Sequence, residues 1–174
     1  MDEHWAPDSL VLNRLSLTYA GRLLVERDRS GEVLTYSPLE GMAAVEHRYP
    51  AWALGPFGNV ETERAMPSTP GVFALVQSGV VRYVASSRNL ARTFSERRGL
   101  GEISRRDCRR ATHEEACRLN RLVTAQALTG EAVDVYLWVV ERARLGKRRA
   151  AALELDELAA RMAADGRGAW HLPS

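Results

Sequence analysis

The sequence predicts an α/β fold of the α+β kind: a three-stranded antiparallel sheet packed by helices in the order β-β-α-α-β-α, preceded by an N-terminal β-hairpin extension. Three observations predict it. Two β-rich runs flank the short turn Ser78-Gly79, an amphipathic helix follows Thr112, and Ala132 to Val140 is a nearly continuous apolar, β-rich run. With 174 residues, 45% of them apolar, the chain can bury one substantial core. The expected division is an N-terminal extension over 1–69 and a main unit over 70–174.

In the extension, Leu10 to Tyr19 and Arg22 to Tyr36 are β-rich, and Asp28-Arg29-Ser30-Gly31 reads as a turn between Leu23-Leu24-Val25 and Val33-Leu34-Thr35. Pro50, Pro56, Pro67 and Pro70, with Gly55 and Gly58, predict an irregular connector. The main unit then opens with strands over Gly71 to Gln77 and Val80 to Ala85. A helix is expected after Ser86-Ser87, with Leu90 and Phe94 on one face. Thr112 and Glu115 form a capping-box pattern, Ala116, Leu119, Val123 and Ala127 make an apolar stripe, and Gly130 stops the helix. Ala150 to Ala164 predicts a last helix burying Leu155, Leu158 and Met162.

Charge is informative in its distribution. The formal net charge is only +2, yet Arg88 to Arg121 holds ten arginines against five carboxylates, and Arg142 to Arg149 adds five basic residues. Such local density attracts phosphates. Arg88, Arg105, Arg106, Arg109, Arg110, Arg148 and Arg149 are therefore candidate nucleic-acid contacts. A compositional habit would look similar, since Lys147 is the one lysine in the chain. Trp52, Phe57, Trp138 and Trp170 could stack on bases, although Trp138 and Trp170 read better as packing residues.

Cys108 and Cys117 flank His113 in the arginine-rich stretch, without the paired spacing of a zinc module, so two small helix residues in a reducing compartment are the expectation. No run approaches the roughly 20 apolar residues needed to span a bilayer, and the expected location is the cytoplasm.

Gly71-Val72-Phe73 on the first strand, Tyr83-Val84-Ala85 on the second, and the continuation Ser86-Ser87-Arg88-Asn89-Leu90 resemble the GIY-YIG nuclease superfamily over about Pro70 to Trp170. The resemblance implies DNA endonuclease chemistry: tyrosines of both motifs near an attacking water, an arginine at the phosphate, and a glutamate holding Mg²⁺ or Mn²⁺. Carried onto this chain, the implied catalytic residues are Tyr83, Arg92 or Arg97, and Glu157, with Glu154 as the alternative metal ligand. The departures are substantial. Phe73 replaces the first tyrosine, Ala85 replaces a glycine, and Thr93 occupies the expected arginine position, and neither Phe73 nor Thr93 is expected to be deeply buried. Three functions follow: a DNA-binding protein on a degenerate scaffold with weak or lost cleavage, an active divergent metal-dependent endonuclease, or a protein-interaction module retaining only the fold.

Overall fold

A computed structural model describes residues 4–140 and 148–166, the side chains of 148–152 excepted. The chain divides into two compact units, one formed by Met1–Arg22, Arg64–Ala91 and Val133–Pro173, the other chiefly by Leu23–Glu63 and Arg92–Ala132. Eight strands and four α-helices are described: β1 (Ser9–Leu12), β2 (Leu15–Val25), β3 (Thr35–Tyr36), α1 (Val45–Arg48), β4 (Phe57–Gly58), β5 (Val60–Thr62), β6 (Gly71–Gln77), β7 (Val80–Ser87), α2 (Leu90–Thr93), α3 (Glu114–Leu128), β8 (Val133–Val139) and α4 (Arg148–Gly166).

The expected three-stranded sheet is corrected to six strands. Their order is β1-β2-β8-β6-β7, with β5 also paired to β2. β6 is flanked by β7 and β8, both antiparallel to it. The sheet continues because β8 would otherwise present an open edge, and because a lone two-stranded hairpin is marginal in water. β1 and β2 meet this need. They form a hairpin through Asn13 and Arg14, both at positive φ, and their Leu12 and Leu17 enter one core with Val72, Ala74, Val76 and Tyr136.

The turn joining β6 to β7 has positive φ at Ser78 and Gly79, the backbone of a tight two-residue hairpin. Register holds from Gly71↔Ser87 to Leu75↔Tyr83 and then shifts, leaving Arg82 as the extra residue of a bulge. Gly71 has no room for a side chain: an added Cβ would lie 2.5 Å from the Trp138 carbonyl oxygen and 2.8 Å from Leu90. α4 lies on β7 and buries Leu155, Ala159 and Met162 among the even-numbered side chains of β6.

Local expectations shift in instructive ways. The strand pairing expected across Asp28 to Gly31 shrinks to one bridge, Arg27↔Val33, because the Asp28 carboxylate accepts from Ser30 and from the Glu32 amide and turns the chain tightly. The end of β2 pairs instead with β5, and β3 pairs with β4, so the proline-rich connector carries two short strands. α2 stops after four residues, with buried Phe94 just beyond it. Ala111–His113 forms a 3-10 turn ahead of α3, so His113, not Thr112, occupies the N-cap and no side chain caps the helix.

In the second unit, Leu39, Ala53, Phe57, Ile103, Cys108 and Cys117 make the core. Two polar residues of α3, Asn120 and Thr124, are fully buried. Asn120 receives the Gly58 amide on Oδ1 at 3.1 Å, and its Nδ2 donates at 2.7 Å to both the Gly58 and Leu100 carbonyls. Replacing Asn120 by Leu leaves those three backbone groups unpaired, at about 1–3 kcal/mol each where water cannot reach. Urea denaturation is expected to register a loss of about 3 kcal/mol or more for Asn120→Leu and of about 1 kcal/mol for Thr124→Val, whose bond to Asn120 is long at 3.3 Å.

Candidate functional site

Of the residues implied by the nuclease resemblance, Tyr83, Glu154 and Glu157 belong to the first unit and Arg92 and Arg97 to the second. Tyr83 stands opposite Leu75 in the β6–β7 ladder and packs its ring 6.0 Å from that of Phe73. Val84, the next residue, turns into the core that α4 covers. Neighbours on a strand face opposite ways, so Tyr83 occupies the sheet face away from α4. Glu154 and Glu157 are exposed on α4. Tyr83 and Glu157 are therefore not brought to one face of the sheet. Phe73 is wholly buried, which overturns the expectation that its side chain is not deeply buried. Thr93 is half-buried at the end of α2, Arg92 and Arg97 are exposed, and these three belong to the second unit. Among the described residues no group of three or more His, Cys, Asp or Glu comes together; Glu157 would offer Mg²⁺ or Mn²⁺ a single carboxylate, with substrate phosphates completing the coordination.

The arginines of the second unit are better placed. Arg97, Arg98, Arg105, Arg106, Arg109 and Arg110 are all exposed. The segment that carries them is held at several points. Leu100 is bound by Asn120, the Gly101 carbonyl accepts from the Val60 amide at 2.8 Å, and the Ile103 amide donates to the Tyr36 hydroxyl at 2.6 Å. Arg105 donates from Nε to the Pro38 carbonyl at 3.1 Å, and Ser104 and Asp107 cap each other at the 3-10 turn Asp107–Arg109. Burial pushes the Asp107 carboxyl up, but hydrogen bonds from Ser104 and the neighbouring His113, 2.6 Å away, outweigh it and hold the carboxyl below its ordinary value. That acid is already engaged with His113 and Ser104. Arg88 is exposed in the first unit; the side chains of Arg148 and Arg149, and all of 141–147, lie outside the described residues.

No family model, curated protein or solved structure matches the chain.

The aromatic candidates divide similarly. Phe57 is fully buried, Trp52 and Trp138 pack against the cores of their units, and Trp170 lies outside the described residues. Cys108 and Cys117 are free and buried. Burial pushes both thiols up, Cys117 to about 12, with the Asp107 charge adding to each.

A polar cluster in the first unit was not anticipated. Asp134, 5% exposed on β8, accepts from His4 Nε2 at 2.6 Å and from the Tyr19 hydroxyl at 3.3 Å. Its sequence signal was the one charge interrupting the apolar run Ala132 to Val140; its partners, over a hundred residues away, gave none.

The raised groups fix a pH dependence. Burial also pushes the Tyr36 hydroxyl up to about 12. Above the ordinary thiol value of 9.0 the unfolded chain releases these protons while the folded chain keeps them, so stability falls as pH rises. Urea midpoints are expected to be flat with respect to these groups up to about pH 8 and to fall between about pH 9 and 12, and Cys117→Ala, combined with Tyr36→Phe, should flatten that decline.

Proposed function

We propose that this chain is a DNA-binding protein on a degenerate GIY-YIG-like scaffold, which grips phosphates through the arginines of the second unit and does not cleave efficiently. The observation carrying the proposal is the segment Arg97 to Arg110, with six exposed arginines on a backbone held by Asn120, Val60 and Tyr36, the Arg105 side chain being tied to the Pro38 carbonyl. Cations on a prepositioned backbone lose less conformational entropy on binding than cations on a free tail. Each phosphate neutralised releases condensed counterions, which makes such binding steeply salt-dependent.

Three features favour binding without catalysis. Phe73 supplies no hydroxyl. Thr93 supplies no guanidinium, and a positioned electrostatic donor is typically worth a hundred- to a thousand-fold in rate, on the order of 3–4 kcal/mol. Tyr83 and Glu157 take separate faces of the sheet. A cytoplasmic location is part of the proposal, supported by two free, buried cysteines and no described disulfide. No helix among the described residues is long and apolar enough to cross a membrane.

Retention of labelled duplex or branched DNA is expected at low salt and should be lost steeply as salt rises. Replacing Arg106, Arg109 and Arg110 by alanine should leave the thermal midpoint in place and reduce the slope of log affinity against log salt by roughly two to three, since each duplex phosphate contact contributes about 0.9. Salt-independent binding, or no binding at low salt, would put the interaction-module reading in its place, and unchanged binding by the triple variant would remove the arginine segment as the DNA contact. With Mg²⁺ or Mn²⁺ the unaltered protein is expected to give no nicking above that of Glu157→Ala; nicking abolished by that substitution would establish the endonuclease.

A further inference from the structure

The first unit contains a cleft of about 420 Å³, lined by His4, Trp5, Ala6, Asp8, Thr18, Tyr19 and Arg64. That volume suits a small ligand. Asp134 fixes one wall: a carboxylate only accepts, so His4 donates from Nε2 and Tyr19 donates its hydroxyl, and both side chains are tied in place. Tyr136 adds to the support by packing tilted against Tyr19, with ring centroids 5.4 Å apart, and by donating its hydroxyl to the Pro7 carbonyl at 2.7 Å. The backbone here is fixed too, since the Tyr19 amide donates to the Asp8 carbonyl at 2.9 Å.

The remaining lining groups are unspent. Arg64 sits over the Tyr19 ring, 5.3 Å from its centroid, and its nitrogens take no hydrogen bond or ion pair among the described residues. Trp5 is 81% exposed, a large planar surface left in water that lines the same cleft as Arg64. The Asp8 side chain is likewise exposed and unpaired among the described residues. A cleft that offers a flat aromatic face, a guanidinium and a carboxylate is complementary to a ligand with a planar ring, an anionic group and N–H donors. Neutral apolar ligands would leave both charges unanswered, and a bare anion would leave the indole and the carboxylate unused.

We propose that this cleft binds a single nucleotide, with its base on the Trp5 indole, its phosphate at Arg64 and base N–H groups donating to Asp8. Guanine fits best, because its N1–H and exocyclic N2–H lie side by side and can both reach one carboxylate. The inference goes beyond DNA binding through the arginine segment and involves none of those arginines.

Isothermal titration of the whole protein with guanosine monophosphate, adenosine monophosphate, guanosine and inorganic phosphate tests it. Guanosine monophosphate is expected to bind at least about tenfold more tightly than each of the other three. Trp5→Ala should cost about tenfold, in line with loss of base stacking, and Arg64→Ala should cost at least about tenfold for the nucleotide and little for guanosine. Asp8→Asn should erase the preference for guanine over adenine. All three residues are exposed, and far-UV circular dichroism with the thermal midpoint confirms folding. The Arg106, Arg109 and Arg110 triple alanine variant should bind the nucleotide as the unaltered protein does, even if it loses DNA. Absence of binding at millimolar nucleotide, phosphate binding as tightly as the nucleotide, or full affinity in Arg64→Ala and Trp5→Ala would each overturn the proposal.

Discussion

The Asn120 side chain carries the organisation of the second unit. One amide satisfies both backbone groups of Gly58 and the carbonyl of Leu100, so α3, β4 and the start of the arginine-bearing segment meet at a single buried point. No apolar residue can do this, because strand and loop backbone buried against a helix must find partners or pay the full cost of lost hydration. Gly58 is required there on steric grounds: an added Cβ would lie 2.7 Å from a Val25 methyl and 2.9 Å from the Thr124 hydroxyl. Downstream of this point the chain is anchored again at Gly101, Ile103 and Arg105, and the arginines are displayed from that held backbone.

The first unit is governed by strand alternation. Even-numbered residues of β6 face α4, while Phe73 and Leu75 face the other way with Tyr83. A motif tyrosine and a helix carboxylate can share a site only if parity allows it, and here parity separates Tyr83 from Glu157. Asp134 breaks the apolar pattern of β8, and it persists there because His4 and Tyr19 both reach it. The same carboxylate therefore serves packing of the N-terminal segment and the order of the cleft wall.

Legibility in the sequence followed the range of the interactions. The β6–β7 turn, the strand at β8, the end of α3 at Gly130 and the helical register of Leu155 and Met162 all depend on neighbours within a few positions, and each could be read locally. The six-stranded sheet could not, because pairing of β2 with β8 joins residues far apart in sequence and no local pattern names the partner. The hairpin expected over Leu23 to Thr35 is shortened to the pairing around Arg27↔Val33, because its outer flanks pair with β5 and β4. Asn120 offered no signal, since a buried asparagine and a surface one look alike until their partners are known. The arginine cluster was legible from composition; that its backbone is fixed was not.

The central claim is that nucleic acid is held by the arginines displayed between Arg97 and Arg110. Its most direct measurement is solution NMR of the arginine Nε–H groups during addition of a short DNA duplex at low salt. The account predicts shifts concentrated at Arg97, Arg98, Arg106, Arg109 and Arg110 that reverse as salt is raised, with the Asn120 side-chain amide unmoved. Arginine resonances in this segment that stay in place while DNA binds elsewhere, or that stay in place because no DNA binds, would contradict it.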